Sequence, residues 1–140
     1  MSYDSCVAAI VARFEASWTT TAIRLPNDTT DRPIAGDGSP LPFAYLEVIG
    51  GTDEQMSIGA PGNNLFRRRG TIVVHLFVPR GSGDGTALGY AVGAGDIFRA
   101  QTFGGLTCEG ASIGGGETAD DNGLYWRRSV SIPFWEDEAA

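Results

Sequence analysis

Nine consecutive residues, Thr71 to Pro79, constrain the fold of this chain most. TIVVHLFVP supplies Ile, Val, Val, Leu, Phe and Val, the β-branched and aromatic types that suit a pleated, buried surface. In an extended backbone Ile72, Val74, Leu76 and Val78 point to one face, and Val73, His75 and Phe77 to the other. Both faces are mainly apolar, so the strand is expected to be covered on both sides. A chain of 140 residues is the size of one domain with a single core, residues 1–140. One cover is therefore expected to be its own helices and the other a neighbouring subunit.

The flanking segments are arranged around that strand. Residues 3–17 read as an amphipathic helix. Val7, Ile10, Val11 and Phe14, continued by Trp18, form one stripe, and Ser2 or Asp4 is placed to cap the start. Thr19 to Leu25 is expected as a short edge strand. Pro26 to Pro42 holds four prolines, two glycines and three aspartates and reads as a loop. Phe43 to Ile49 is a second strand, with Ala44, Leu46 and Val48 toward the helices. Residues 50–70 are expected as an extended loop, glycine- and asparagine-rich and ending in Arg67, Arg68 and Arg69.

After the turn at Arg80 to Gly85, Thr86 to Gln101 reads as the second helix. Leu88, Ala91, Val92, Gly95 and Phe98 share a face, and Asp84 or Thr86 is placed to cap it. Gly89, Gly93 and Gly95 each cost about 1 kcal/mol relative to Ala in a helix interior, and close packing of the backbone on the sheet would offset that. Leu106 to Ile113 is a further strand, and Gly114 to Gly123 an acidic turn. In the last strand, Leu124 to Trp135, the set Leu124, Trp126, Arg128, Val130, Ile132 and Phe134 enters the core from Val130 onward. Pro133 marks a strand end or edge, and residues 136–140 are expected to be a flexible acidic tail. The order α-β-β-β-α-β-β defines an α+β fold, an antiparallel (mixed) β-sheet with two α-helices packed on one face.

Charge and composition remove several functions. The net charge of −7 opposes general nucleic-acid binding, which needs a basic footprint. All ten basic residues are Arg. No apolar run approaches the roughly 20 residues of a membrane span, and the N-terminus lacks the pattern of a signal peptide. Cys6 and Cys108 have neither CxxC spacing nor a nearby His, so they read as buried free thiols, with no zinc. The spacing of Asp28, Asp31 and Asp37 does not match a calcium loop; they read as solvated carboxylates.

No catalytic motif stands out. His75, the single histidine, lies mid-strand and reads as structural, because a catalytic histidine needs a positioned partner. GAPGNN lacks the following Lys and Ser/Thr of a phosphate loop. The arginine triplet is expected to alternate faces at a strand start and pair with carboxylates, in this chain or on another subunit, where the acidic turn or the EDEAA tail offers partners. No metal and no cofactor is expected, and the chain does not read as an enzyme.

The stretch SIGAPGNNLFRRRGTIVVHLFVPRGSGDGTALGYAVGAGDIFRAQTFGGLTC resembles the tail terminator-like proteins of long-tailed phages and related prophages. FEASWTTTAI and RRSVSIPFWEDE fit the same pattern, and the resemblance runs from about Tyr3 to Glu138. The loop from Pro26 to Pro42 is longer than that pattern, and the glycines of the second helix stand where Ala is usual. The resemblance implies a structural virion protein at the head–tail junction, assembled in the host cytoplasm. It implies a hexameric ring that caps the completed tail tube, stops its polymerisation and offers a head–tail joining surface. The implied partners are copies of itself, the tail-tube protein and a head-side stopper or adaptor protein, with DNA passing through the lumen without specific binding.

On that reading the tube contact falls on Met56, Ser57, Ile58, Asn63, Asn64, Leu65, Phe66, Arg67, Arg68 and Arg69, with Leu65 and Phe66 as apolar anchors. Subunit contacts fall on Val73, His75, Phe77, Trp126, Arg127 and Trp135. The rivals are another neck component such as a stopper, a small ligand-binding or enzymatic domain using His75 with a loop aspartate, and a nucleic-acid binder using the arginine triplet.

Overall fold

A computed structural model describes residues 3–27, 36, 38–118 and 123–140. Helix α1 (Tyr3–Ser17) leads into β1 (Ala22–Arg24), β2 (Phe43–Gln55) and β3 (Leu65–Pro79). Helix α2 (Asp84–Phe98) follows, then four short strands, β4 (Thr102–Phe103), β5 (Leu106–Cys108), β6 (Ser112–Ile113) and β7 (Glu117–Thr118), and finally β8 (Tyr125–Ala139). The sheet runs β1-β2-β3-β8-β5-β4, and β6 and β7 also pair with β8. Only the β1–β2 pairing is parallel, so the sheet is mixed, as the α+β reading requires.

The alternation in β3 holds. Ile72, Val74 and Leu76 are fully buried and meet Leu46, Ala44, Val130 and Ile132 in one core with Cys6, Ile10 and Phe14 of α1 and Ala91, Ala94 and Phe98 of α2. Both helices thus cover one face. On the opposite face, the described residues include a cover at one end that the chain itself supplies. Phe77 stacks on Phe43 at 4.5 Å, Tyr125 packs edge-on against both rings, and its hydroxyl donates to the Leu41 carbonyl at 3.1 Å.

Several expectations are corrected. The extended loop of 50–70 is mostly strand: β2 continues to Gln55 and β3 begins at Leu65, leaving 56–64 as the connection. Alternating burial cannot reveal this part, because residues 49–63 are all exposed. The acidic tail is the end of β8, paired with β3 from Arg68↔Glu136 to Leu65↔Ala139. Glu136 is buried to 2 % exposure and accepts a hydrogen bond from the Cys6 thiol. Pro133 does not end its strand; β8 runs through it where the flanking strand is interrupted between β5 and β6. The single strand expected over Leu106 to Ile113 is two short ones. Asp28, Asp31 and Asp37 lie outside the described residues.

In α2 the buried face is Ala87, Ala91, Ala94, Gly95 and Phe98, which leaves Leu88 and Val92 exposed. The glycines divide accordingly. A Cβ on Gly95 would meet Ala111 and Val130 at 3.2 Å, whereas one on Gly89 meets nothing within 4 Å. Gly89→Ala is therefore expected to stabilise the protein by up to about 1 kcal/mol, and Gly95→Ala to destabilise it, as urea unfolding of the two variants would show.

Candidate functional site

Three strands, β2, β3 and β8, extend together past the helix-covered core. Beyond Arg68, which faces Glu136 and Asp53, they continue for about 10 Å, taking about 3.3 Å per residue. A bulge between Gly50 and Asp53 bends β2 at the base of this arm.

The connection at the end of the arm is hydrogen-bonded at both ends and across one turn. The Leu65 N–H donates to Ser57 Oγ and the Ala60 N–H to Asn64 Oδ1, and Asn64 and Ala140 exchange two backbone bonds of 2.8 Å. Held this way, the end of the arm presents apolar side chains outward: Ile58 is 87 % exposed, Met56 45 % and Leu65, the first residue of β3, 38 %. Phe66, expected as an anchor, is half-buried, and Ile58 takes the prominent position. Asn63 sits in the turn, its N–H bonded to the Ala60 carbonyl.

The arginine triplet lies within β3 and splits between faces. Arg67 makes a two-point ion pair with Asp137, 2.8 and 2.9 Å, and lies over the Trp135 ring at 4.1 Å. That guanidinium holds the Asp137 carboxyl below the usual range. Arg68 lies on the helix side, 3.7 Å from Asp53 and 5.1 Å from the Tyr3 ring centre. Arg69 is exposed opposite Trp135. The tail acid that was a candidate for pairing with a second subunit is thus the partner of Arg67 in the same chain, and the triplet is not one basic patch.

Of the residues expected at subunit contacts, Val73, His75, Phe77, Arg127 and Trp135 share the face away from the helices, and Trp126 does not. Trp126 donates its indole N–H to Asp84 at 2.7 Å, beside a two-point pair between Arg128 and Asp84. These bonds fix the start of α2 to β8. They hold the Asp84 carboxyl down at about 2, Arg128 first and Trp126 second. A lowered folded-state value means that this contribution is complete above the ordinary value of 3.8 and is lost as pH falls through about 2. The wild-type urea midpoint is expected to drop between about pH 4 and pH 2, and Asp84→Asn to drop less over the same window.

Val73 is 8 % exposed and Phe77 is stacked within the chain, so little of either remains for a partner. His75 is held on both sides: Nε2 is 2.8 Å from Glu47 Oε1 and Nδ1 is 2.6 Å from Ser129 Oγ. An ionised Glu47 can only accept, so Nε2–H donates to it, and in the neutral ring Nδ1 accepts from the Ser129 hydroxyl. The carboxylate beside His75 among the described residues is thus Glu47, a strand residue, and the loop aspartates Asp28, Asp31 and Asp37 lie outside the described residues. Glu47 and Ser129 escaped the sequence because only the register across β2, β3 and β8 brings them to His75. The order carboxylate–imidazole–hydroxyl is that of an activated nucleophile. Among the described residues, however, the backbone N–H groups flanking this row belong to the β2–β3–β8 ladders, which leaves none of them grouped to stabilise an oxyanion.

Both cysteines are buried. Burial, and then the Glu136 hydrogen bond, push the Cys6 thiol up to about 12, and burial pushes Cys108 up to about 11. Among the described residues no group of three or more His, Cys, Asp or Glu is placed to hold a metal ion, and no helix is long and apolar enough to cross a membrane.

No family model and no curated protein matches the sequence. Solved structures do match. One is 22 % identical over 97 % of this chain and 96 % of its own, with a TM-score of 0.65. The likeness is one of fold, an α+β domain with a mixed sheet, over essentially the whole length of both chains.

Proposed function

We propose that this protein is a structural component of a phage neck, a ring-forming tail terminator that seats on the end of the completed tail tube. The observation that carries the reading is the three-stranded arm with its hydrogen-bonded, uncharged, apolar end. A rigid element that exposes Ile58, Met56 and Leu65 is built to be covered by another protein, because ordering such a loop in advance lowers the entropy lost on docking. The chain carries −7 net charge, and Arg67 and Arg68 are matched by Asp137 and Asp53, so a lumen formed by such subunits would pass DNA without holding it. The protein acts without catalysis or cofactor, inside the host during assembly and at the head–tail junction of the virion afterwards.

Light scattering of the purified protein, alone and with tail-tube protein, tests this. The expected mass is near six subunits, alone or on tube ends, with tube growth arrested. Binding only to a portal-side adaptor would replace the terminator reading with a stopper, and indifference to both would end the neck reading.

A second reading, a small hydrolase, is favoured by the Glu47–His75–Ser129 row alone. A fluorophosphonate probe is expected to leave Ser129 unlabelled, for want of an oxyanion site; stoichiometric labelling lost in Ser129→Ala would favour the enzyme.

A further inference from the structure

We propose that Ile58 of one copy of this chain docks in the groove between α2 and β6 of a second copy, a head-to-tail contact. The inference rests on the ring reading above and names the contact that builds the ring. The groove has a floor of Ala91, Gly95 and Ala111 and walls of Val92 and Ile113, and its volume is about 120 Å³, room for one branched aliphatic side chain. Val92 is 46 % and Ile113 40 % exposed, with Leu88 one turn away at 38 %. At the rim Asp96 and Arg99 pair at 3.5 Å, so its charges are already matched.

The most exposed large apolar side chain among the described residues is Ile58, and it belongs to another part of the same molecule. It cannot reach its own groove. Ile113 pairs with Val130 and Val130 with Val74, nine residues along β3 from Leu65, or about 30 Å. A contact between them therefore requires a second copy. Residues 56–64 carry no charge, and the nearest acids on the arm, Glu54 and Glu138, lie on the strands behind them. The alternative subunit surface offers less, since Val73 and Phe77 are largely used within the chain. Joining two different patches is a heterologous contact, which repeats until it closes as a ring. One such contact is smaller than the roughly 1,200 Å² of a stable pairwise interface, so closure supplies the rest.

Two measurements test the proposal. Ile58→Cys and Val92→Cys proteins are mixed under mild oxidation; Cys6 and Cys108, buried, stay out of the reaction. A covalent dimer is expected in the mixture and a ladder of multiples from the double variant. In parallel, Ile58→Asp and Val92→Asp are each expected to weaken self-association by about tenfold or more, with unchanged thermal unfolding because both positions are exposed. Mixed together, these two variants retain one good contact, between the intact tip of one and the intact groove of the other, and are expected to stop at dimers. Normal self-association of Ile58→Asp with loss of tube binding would assign the tip to the tube protein and overturn the proposal. A ring that forms without the cross-link would overturn it while leaving the neck reading in place. A protein that neither associates, cross-links nor arrests tubes would remove both.

Discussion

Phe14→Ala is expected to lower the free energy of unfolding by about 3–5 kcal/mol, the range for emptying a buried phenylalanine site. Phe14 is fully buried, and its ring stacks on Trp18 at 5.6 Å and on Phe98 at 6.0 Å. Phe98 continues to Phe103 at 6.1 Å, and Tyr90 meets Trp18 edge-on at 6.0 Å. This row of rings joins α1 to α2 above the sheet. The lost transfer energy is therefore accompanied by a cavity that both helices border and neither can fill alone. A domain of this kind has about 5–15 kcal/mol in total, so a large part of its stability depends on one side chain. Urea unfolding monitored by tryptophan fluorescence would measure the loss, and a decrease below about 1 kcal/mol would show that the helices close over the gap.

Gly51→Ala is expected to destabilise the protein by about 1–3 kcal/mol, as overpacking does, and to displace the arm. Gly51 lies in the β2 bulge, where an added Cβ would sit 2.0 Å from the Arg69 carbonyl oxygen and 2.9 Å from its carbon. Those are backbone atoms of the central strand and cannot rotate aside. Gly70 is confined in the same way, by the Phe134 ring at 2.6 Å and the Ile49 carbonyl at 2.8 Å, so the base of the arm cannot yield in that direction. The strain would be released toward the tip. Faster hydrogen exchange at the Asn64 and Ala140 amides, which bond to each other's carbonyls, is the expected signature. Wild-type exchange and stability in the variant would mean that the bulge relocates freely. Gly89→Ala, a change of the same size in open space, is the control.

The elements that proved readable are those whose burial has a period. Ile72, Val74 and Leu76, the Ala44–Leu46 pair, the Val130–Ile132–Phe134 run and the Ile10–Phe14–Trp18 stripe all lie in the core where the alternation placed them. The arm reads as loop in the sequence because its strands are solvated: from Ile49 to Asn63 no alternation of burial exists to detect. The tail misled for a related reason. EDEAA looks like a solvated terminus, yet Asp137 is paired with Arg67 and Glu136 is enclosed beside Cys6, both through contacts about 70 and 130 residues apart.

Local periodicity and composition are set by the chain alone, and with them the two helices, the helix-covered parts of the three long strands, the side of the sheet the helices cover and the acidic surface. The pairing of strands across the sheet is not local. It brings Glu47 and Ser129 to His75, divides the arginine triplet between two faces, and leaves Ile58 and the α2–β6 groove about 30 Å apart and uncovered. Those outcomes depend on register, which one bulge at Gly51 shifts by a residue, and register is decided only when all three strands and both helices pack together.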